Sequence, residues 1–460
     1  MNIKLNNFNN TLKGKKIAII GAGVSNIPLI KYLSDLECEI TLFDKNNLTK
    51  LSKEVKEIIE KYKPQLSLGD NYLEKLTGFN IIFRSPSFLP TNKYLIEEQK
   101  KGALITTEVE QVIKLAPCKT IGITGSKGKT TTTTIINEIL QKLGYNTFLG
   151  GNIGIPLFTK IKDMKKDDIV VLELSSFQLM NMTVSPNISL ITNISPDHLD
   201  IHKNYEEYIN AKKYIFKNQT KNDVIILNKD DKIVKDMNKE ATSKVKYFGS
   251  SKIKDSYYLD GDYIKYNNNK IIDTKKLILK GIHNYLNVCA ALNVIKEIQD
   301  IPNDKIENIV KNINSVHHRL EFIREIDGIK WYNDSASTTP DKSLAGINAF
   351  QEKIVLIAGG YDKNISYDSL AKPILNKVSK LILFGDTKTK IYDAVMKEKK
   401  KDNYDLRIYV MDTLEEVIDV AYEVSTKGEV VLFSPASASF DMFKNAYQRG
   451  DLFKELVNKL

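Results

Sequence analysis

Short runs of β-branched and apolar residues alternate along this chain with longer, charged amphipathic stretches, the pattern of α/β domains built on parallel sheets. The first run, Lys16 to Ile20 in KKIAIIGAGVSN, leads into a Gly turn and a helix. A second strand, CEITLFD, ends at Asp44, and FNIIFRSPS and the segment from Ala103 to Thr106 are further candidates. A new strand and Gly turn begin at KTIGITGSKGKTTTT, with a helix to about Leu143. DDIVVLE and NISLITNIS follow as buried-strand patterns, each ending in polar residues. Between about Asp223 and Ile278, short alternating runs separated by GD and NNN turns predict a small antiparallel sheet. A helix containing AALNVIKEI comes next. From about Ser315 a third α/β pattern runs through GIKWYNDS, KIVLIAGG, KLILFGD, LRIYVMD and EVVLFSP. Each of these strands ends at a polar or Gly-rich turn, the end at which open parallel sheets bind ligands.

The length of 460 residues suits about three domains. The pattern divides them as 1–107, 108–314 and 315–460, with no close repeat among the three. Hydrophobic residues at 42% and charged residues at 27% are ordinary for a globular chain, and 23 Gly with 12 Pro exclude a collagenous or low-complexity one. No apolar run approaches the roughly 18–20 residues of a membrane span. The N-terminal segment has no signal-peptide apolar region. Cys38, Cys118 and Cys289 stand far apart, without metal or redox spacing. The expectation is a cytoplasmic protein without membrane insertion. The net charge of +10 comes from basic residues interleaved with acids, as in KIKDMKKDD. It reads first as a solvated lysine-rich surface and second as attraction for anionic small molecules. No basic, aromatic-interleaved platform supports nucleic-acid binding.

The strongest local chemistry is GITGSKGKT, Gly122 to Thr130, between a strand and a helix. Backbone N–H groups of such a loop cradle phosphates, and the helix N-terminus adds its positive end. Lys129 would reach the terminal phosphates and the Thr130 hydroxyl a Mg²⁺ ion. Ile123 stands where the usual P-loop has Gly, so this is a variant phosphate loop, and ATP is the expected ligand. Glu173, ending DDIVVLE, is placed to hold or position a metal; alternatively it is an ordinary strand-end acid. SPDHLDIH offers Asp197, His198, Asp200 and His202. His198 reads either as a metal ligand or as a loop histidine with a structural hydrogen bond. A binuclear metallohydrolase would need further ligand-rich motifs that the chain lacks. GAGVSN is a partial dinucleotide turn with Asn26 in place of its third Gly, and Asp44 is near the spacing of a ribose-binding acid. It fits a nucleotide-like ligand or a purely structural turn.

Taken together, GITGSKGKT, GGNIGIP, LELSSFQL, TNISPDHLD, INAKKYIF, GIHNYLN, HHRLE, NDSASTTP, AGGYDK and SPASASFDMFKNAYQRG resemble the Mur ligases, in the family's order from the first strand almost to the C-terminus. The resemblance implies a Rossmann-like N-terminal domain, a central P-loop ATPase domain with the small extra antiparallel sheet, and a C-terminal Rossmann-like domain. It implies an ATP-dependent, ADP-forming amide ligase of peptidoglycan precursor synthesis. ATP phosphorylates the carboxylate of a UDP-linked muramoyl-alanine, the amine of glutamate attacks the acyl phosphate, and the tetrahedral intermediate loses phosphate. A carboxylate becomes a usable electrophile only once its oxygen is a good leaving group. SSFQL and SPASASFDMFKN point within the family to addition of D-glutamate to UDP-N-acetylmuramoyl-L-alanine.

Carried over by resemblance, Gly125, Ser126, Lys127, Gly128, Lys129, Thr130 and Thr131 bind ATP, with Asn284 and Asn287 near the adenine and Arg319 and Asp334 from the third domain. Thr130, Glu173, His198 and Lys212 look like residues of two Mg²⁺ sites. Lys212 matches a lysine that family members carry as a carbamate, which gives an anionic oxygen ligand; without the resemblance it reads as a surface helix lysine. Val24, Ser25, Asp44 and Ser87 fall on the UDP side of the substrate, and Asn152, Ser175 and Gln178 would line the reaction cleft. Thr338, Lys363, Ser439 and Phe440 match the glutamate pocket, Lys363 pairing with a carboxylate. Three positions depart from the family pattern: Ala336 for a common lysine, Ala446 for a common phenylalanine, and Ser87 for a glycine after SP.

Other readings stay open at this point. A folylpolyglutamate-synthase-like ligase needs no UDP-binding first domain. A nicotinamide-dependent oxidoreductase leaves the P-loop unexplained. A non-catalytic ATP-binding regulator predicts ATP binding without turnover. A monomer acting on small molecules is expected.

Overall fold

The computed structural model describes residues 2–313, 316–400 and 405–460. It divides into two compact units, one comprising 1–261, 265–270 and 286–302, the other 262–264, 271–285 and 303–460. The predicted boundary at 314/315 falls outside the described residues.

In the first unit, a five-stranded sheet has the order Gln65–Leu68, Glu39–Asp44, Lys16–Ile20, Ile81–Arg84, Leu104–Thr106. All its pairs are parallel. Four of the five strands are those expected; Gln65–Leu68 is additional, as is a helix at Ile3–Leu12 capped by the Asn2 side chain. Ile17 to Ile20 are buried in succession, as in a strand covered on both faces.

The same unit holds a six-stranded parallel sheet, in the order Lys244–Phe248, Val224–Asn228, Ile188–Ile191, Lys119–Thr124, Ile169–Glu173, Thr147–Gly151. The sequence reading is corrected here: Val224–Asn228 and Lys244–Phe248 are parallel strands of this large sheet, not members of a small antiparallel one. Val224 to Asn228 are buried throughout, which the polar linkers around them obscured. The small sheet is limited to Tyr257–Asp260, Tyr263–Tyr266 and Asn269–Asp273 in that order. Its two-residue links, Gly261-Asp262 and Asn267-Asn268, can join only antiparallel strands. Both asparagines have positive φ, as a tight hairpin turn requires.

The second unit carries a mixed six-stranded sheet: Glu321–Ile326, Ile329–Asn333, Val430–Phe433, Ile354–Gly359, Val378–Phe384, Arg407–Val410. Five strands are as expected and parallel where they pair. Glu321–Ile326 is an added antiparallel edge. Asp327 and Gly328, at φ 52° and 78°, form the hairpin turn that joins it to Ile329–Asn333. Among the described residues no helix is long and apolar enough to cross a membrane.

Candidate phosphate-loop site

Strand Lys119–Thr124 ends in the phosphate loop, and helix Lys129–Lys142 starts directly after Gly128. Gly125 takes φ 148°, and a Cβ there would overlap Thr192 Oγ1. Gly128 takes φ 81°, with Asn287 Oδ1 2.7 Å from where its Cβ would be. Both positions therefore need glycine. Ile123, by contrast, is a buried strand residue paired with Glu173, so the glycine of the usual motif has no task at that point. The neighbouring strand's end shapes the loop. Ser126 N donates to Asn193 O (2.8 Å) and Lys127 N to Asn193 Oδ1 (2.9 Å), while Thr192 Oγ1 donates to Lys127 O (2.7 Å). Lys129 Nζ donates to Gly125 O (2.8 Å) and Ser126 O (3.1 Å). Thr130 and Thr131 follow in the first helical turn, where free N–H groups and the helix dipole favour an anion.

Beneath the loop lies Lys212, on helix Tyr205–Lys217, only 1% exposed. It is not the solvated helix lysine that its sequence context suggested. Its Nζ donates to Gly125 O at 2.9 Å and sits 4.7 Å from the centre of the Tyr208 ring. Burial, then the charge of Lys129, brings its pKa down to about 7. Tyr208 was not singled out by the sequence. Its hydroxyl is 2.8 Å from Ser126 Oγ, and burial pushes its pKa up to about 12.

Glu173 ends its strand fully buried. Asn152 Nδ2 donates to Oε1 at 2.8 Å, while Oε2 is buried without a hydrogen-bond partner among the described residues. A lone buried carboxylate oxygen at the end of the strand next to the one that feeds the phosphate loop suits a cation, since leaving it unpaired is costly. His198 has φ 54° and a half-exposed ring whose edge meets Phe177 at 5.3 Å. The buried histidine of SPDHLDIH is instead His202, with Nε2 2.9 Å from Ser176 Oγ and its ring stacked on Phe177 at 5.0 Å. Burial holds its pKa low, against the pull of Glu207. Among the described residues no three His, Cys, Asp or Glu side chains cluster as a metal site. Ser175 and Gln178 form a capping box on the short helix Ser176–Leu179. Gln178 Oε1 accepts from Ser175 N at 3.0 Å.

At the carboxyl ends of the five-stranded sheet, Val24 is 79% exposed beside Ser25. Asp44 is braced: Oδ2 accepts from Ala22 N and Oδ1 from Asn46 N, both at 2.8 Å. Asn26, standing where the dinucleotide motif has glycine, donates to Ile20 O at 2.9 Å and ties the turn to its strand. Ser87 is on the adjacent loop, with Oγ 3.2 Å from Ser85 Oγ.

Arg319, Asp334, Thr338, Lys363, Ser439 and Phe440 belong to the second unit, as does Asn284, whose side chain donates to Lys280 O. Asp334 is buried, accepting from Leu320 N (3.2 Å) and Ser434 Oγ (2.7 Å), and burial raises its pKa to about 6. Lys363 Nζ and Phe440 come together, 5.9 Å from ammonium to ring centre, with Tyr361 edge-on to the same ring. Ser439 is buried, and its loop is held by Arg449, which donates to Ala438 O, Ser437 O and Ser335 O.

A family model described as the Mur ligase middle domain matches residues 123–295, and one described as the Mur ligase glutamate ligase domain matches 318–437. The chain is 45% identical over 461 residues to a UDP-N-acetylmuramoylalanine--D-glutamate ligase of Clostridium tetani, covering 100% of both chains. It is 43% identical to the protein of the same name from Clostridium perfringens, covering 99% of each. In fold it is similar to the UDP-N-acetylmuramate-alanine ligase MurC of Thermotoga maritima, with TM-score 0.59, 19% identity, and 97% and 99% of the two chains covered. It is similar also to the MurF ligase of Thermotoga maritima in complex with ADP, with TM-score 0.57, 16% identity, and 98% and 97% covered.

Proposed function

The chain belongs to the Mur ligase family, and we propose that it is the member that adds D-glutamate to UDP-N-acetylmuramoylalanine in an ATP-dependent step of peptidoglycan synthesis. One observation carries the choice of reaction: the 45% identity to ligases of that name runs from end to end. ATP dependence fits the loop from Gly125 to Thr131, a backbone cradle closed by two obligatory glycines.

In this reading, ATP transfers its terminal phosphoryl group to the substrate carboxylate. Lys129, released from its own loop carbonyls, neutralises the phosphates, and loop N–H groups orient them. The neutral amine of D-glutamate then attacks the acyl carbon, forming the C–N bond, expelling phosphate and releasing one N–H proton to solvent. Thr130 and the unpartnered Oε2 of Glu173 are suited to hold Mg²⁺, whose contribution is to offset phosphate charge. His198 is assigned to a second Mg²⁺ site. Lys212 is proposed as the carbamate-bearing lysine. Its amine is buried against a carbonyl, and in neutral form it adds to CO₂, with one N–H proton leaving to solvent.

Val24, Ser25, Asp44 and Ser87 are assigned to the UDP end of the substrate, and Asn152, Ser175 and Gln178 to its reacting end. Asn284, Asn287, Arg319 and Asp334 are assigned to ATP, and Thr338, Lys363, Ser439 and Phe440 to glutamate. The three-domain division at 107/108 and 314/315 accompanies this assignment. Ala336 and Ala446 would adjust the shape of the amino-acid pocket.

The test is phosphate release from ATP with Mg²⁺ and UDP-N-acetylmuramoyl-L-alanine, comparing D-glutamate, L-glutamate, L-lysine and no amino acid. Release with D-glutamate alone, with the matching mass gain in the nucleotide product, is expected. Release with another amino acid would move the enzyme within its family, and no release with any acceptor would sink the ligase reading.

A further inference from the structure

Arg84 closes strand Ile81–Arg84 and is 3% exposed. Its guanidinium spans two parts of the first unit. Nη1 donates to Phe88 O (3.3 Å) and Phe177 O (3.2 Å), and Nη2 to Phe177 O (3.2 Å) and Met180 O (2.9 Å). Phe177 lies in, and Met180 caps the C-terminal end of, the short helix Ser176–Leu179 whose N-terminus carries the Ser175–Gln178 capping box. On the other side, the residues directly after Arg84 form the Ser85–Ser87 loop, and Ser85 N is bonded to Ile20 O at the end of the central strand. One planar side chain thus joins the loop assigned to the nucleotide end of the substrate to the turn assigned to its reacting end.

A second, independent tie crosses the same junction. Glu110 Oε1 accepts from both Thr183 N and Thr183 Oγ1 at 2.7 Å, and Oε2 accepts from Thr106 Oγ1 at 2.9 Å. Glu110 also acts on Arg84 through space, favouring its charged form. Burying a guanidinium is costly unless its donors are met, so a site that spends one on three backbone carbonyls gains in geometry. A planar fork holds the Phe88, Phe177 and Met180 carbonyls in one fixed geometry, whereas an ammonium is a compact charge with rotatable donors on a flexible stem.

We propose that Arg84 is a positioning residue that fixes the span between the two ends of the UDP-linked substrate. The inference rests on the functional reading above. A ligand gripped at both ends gains affinity and reactivity only when the distance between the grips is set in advance. A fragment gripped at one end is indifferent to that distance.

The experiment uses full-length protein with Arg84→Lys and Arg84→Met, the first of which keeps the charge should the second fail to fold. Calorimetry without ATP gives Kd for UDP and for UDP-N-acetylmuramoyl-L-alanine, and steady-state kinetics gives KM and kcat. Kd for UDP is expected to stay within about twofold of wild type, while the full substrate weakens by about tenfold, the scale of a lost charge-assisted hydrogen bond, and kcat falls with it. Equal weakening of UDP and full substrate would mean that Arg84 merely supports the fold, and no weakening of either would remove its role altogether. Wild-type protein that binds neither UDP nor the full substrate would overturn the functional reading itself, and the proposal with it.

Discussion

The Tyr208 hydroxyl lies 2.8 Å from Ser126 Oγ, and a proton count fixes which of the two donates. Ser126 Oγ gives its only proton to Ser195 O at 2.9 Å and accepts from Ser195 N at 2.9 Å. Its remaining lone pair takes the Tyr208 proton, which a phenol with its pKa at about 12 keeps throughout the working range. The Lys212 Nζ lies over the face of the ring that makes this bond, 4.7 Å from its centre. Tyr208 therefore couples the phosphate loop to the buried lysine.

Tyr208→Phe keeps the ring and removes the proton. Ser126 loses one partner in a buried setting, so the loop is less well held before nucleotide arrives. ADP binding should weaken by about tenfold, the cost of one unmet buried hydrogen bond. Titration calorimetry with Mg²⁺-ADP checks this, with UDP binding as the internal control. Unchanged ADP affinity would show that the loop holds its shape without the tyrosine.

Lys129→Ala should abolish acyl-phosphate formation while leaving affinity for the UDP-linked substrate nearly intact. Lys129 Nζ donates to Gly125 O and Ser126 O of the phosphate loop, whereas the residues assigned to UDP lie at the five-stranded sheet. Positional isotope exchange in ATP reports the first step, and calorimetry reports the second. Equal loss of both would mean that the ligands have been assigned to the wrong sheets.

Strands were legible in the sequence wherever both faces are covered, because such strands are unbroken apolar runs such as IAII, IVVLE and IVLIAG. Gln65–Leu68 escaped because an edge strand with exposed Gln65 and Leu66 carries no such run. Glu321–Ile326 carried a usable signal, the Asp327-Gly328 pair between apolar stretches, which is the strongest short-range mark of a hairpin. Within the site, the loop and Glu173 were legible from strand-end position. Lys212 was hidden by its neighbour Lys213, which pairs with Glu240. The spacing was informative all the same: Tyr208, Ala211, Lys212 and Ile215 form one buried helical stripe, and a lysine on that stripe is a lysine inside. Contacts between distant segments, such as Arg84 with Phe177, leave no local pattern to read.

Gly125→Ala should remove nucleotide binding with little effect on the five-stranded sheet's ligand. The new Cβ would overlap Thr192 Oγ1 and force a left-handed backbone angle on alanine. Adding Thr192→Ala relieves the overlap but not the angle, and Asn193 backbone atoms stay 3.1 to 3.2 Å away. The double variant should recover part of the ADP affinity. Full recovery would show that the clash alone, and not the backbone conformation, demands glycine.

Glu108, outside the residues assigned to the site, gives the stability of the molecule a pH dependence. Its Oε1 accepts from Leu157 N and Phe158 N, both at 2.7 Å, yet burial outweighs these bonds and raises its pKa to about 7. A carboxyl whose folded pKa lies above its unfolded one binds its proton more tightly in the native state. Below about pH 4.5 both states are protonated and there is no penalty. As pH rises toward 7 the unfolded chain ionises first and stability falls, levelling off above 7 at a cost of roughly 3 kcal/mol. Glu108→Gln keeps an acceptor for both N–H groups and removes the titration. Urea unfolding of wild type and Glu108→Gln across pH 5 to 8 should give curves that separate with rising pH, the variant gaining on wild type until about pH 7 and running parallel above it. A constant difference across the range would mean that Glu108 stays ionised in the folded protein, its two hydrogen bonds sufficing after all.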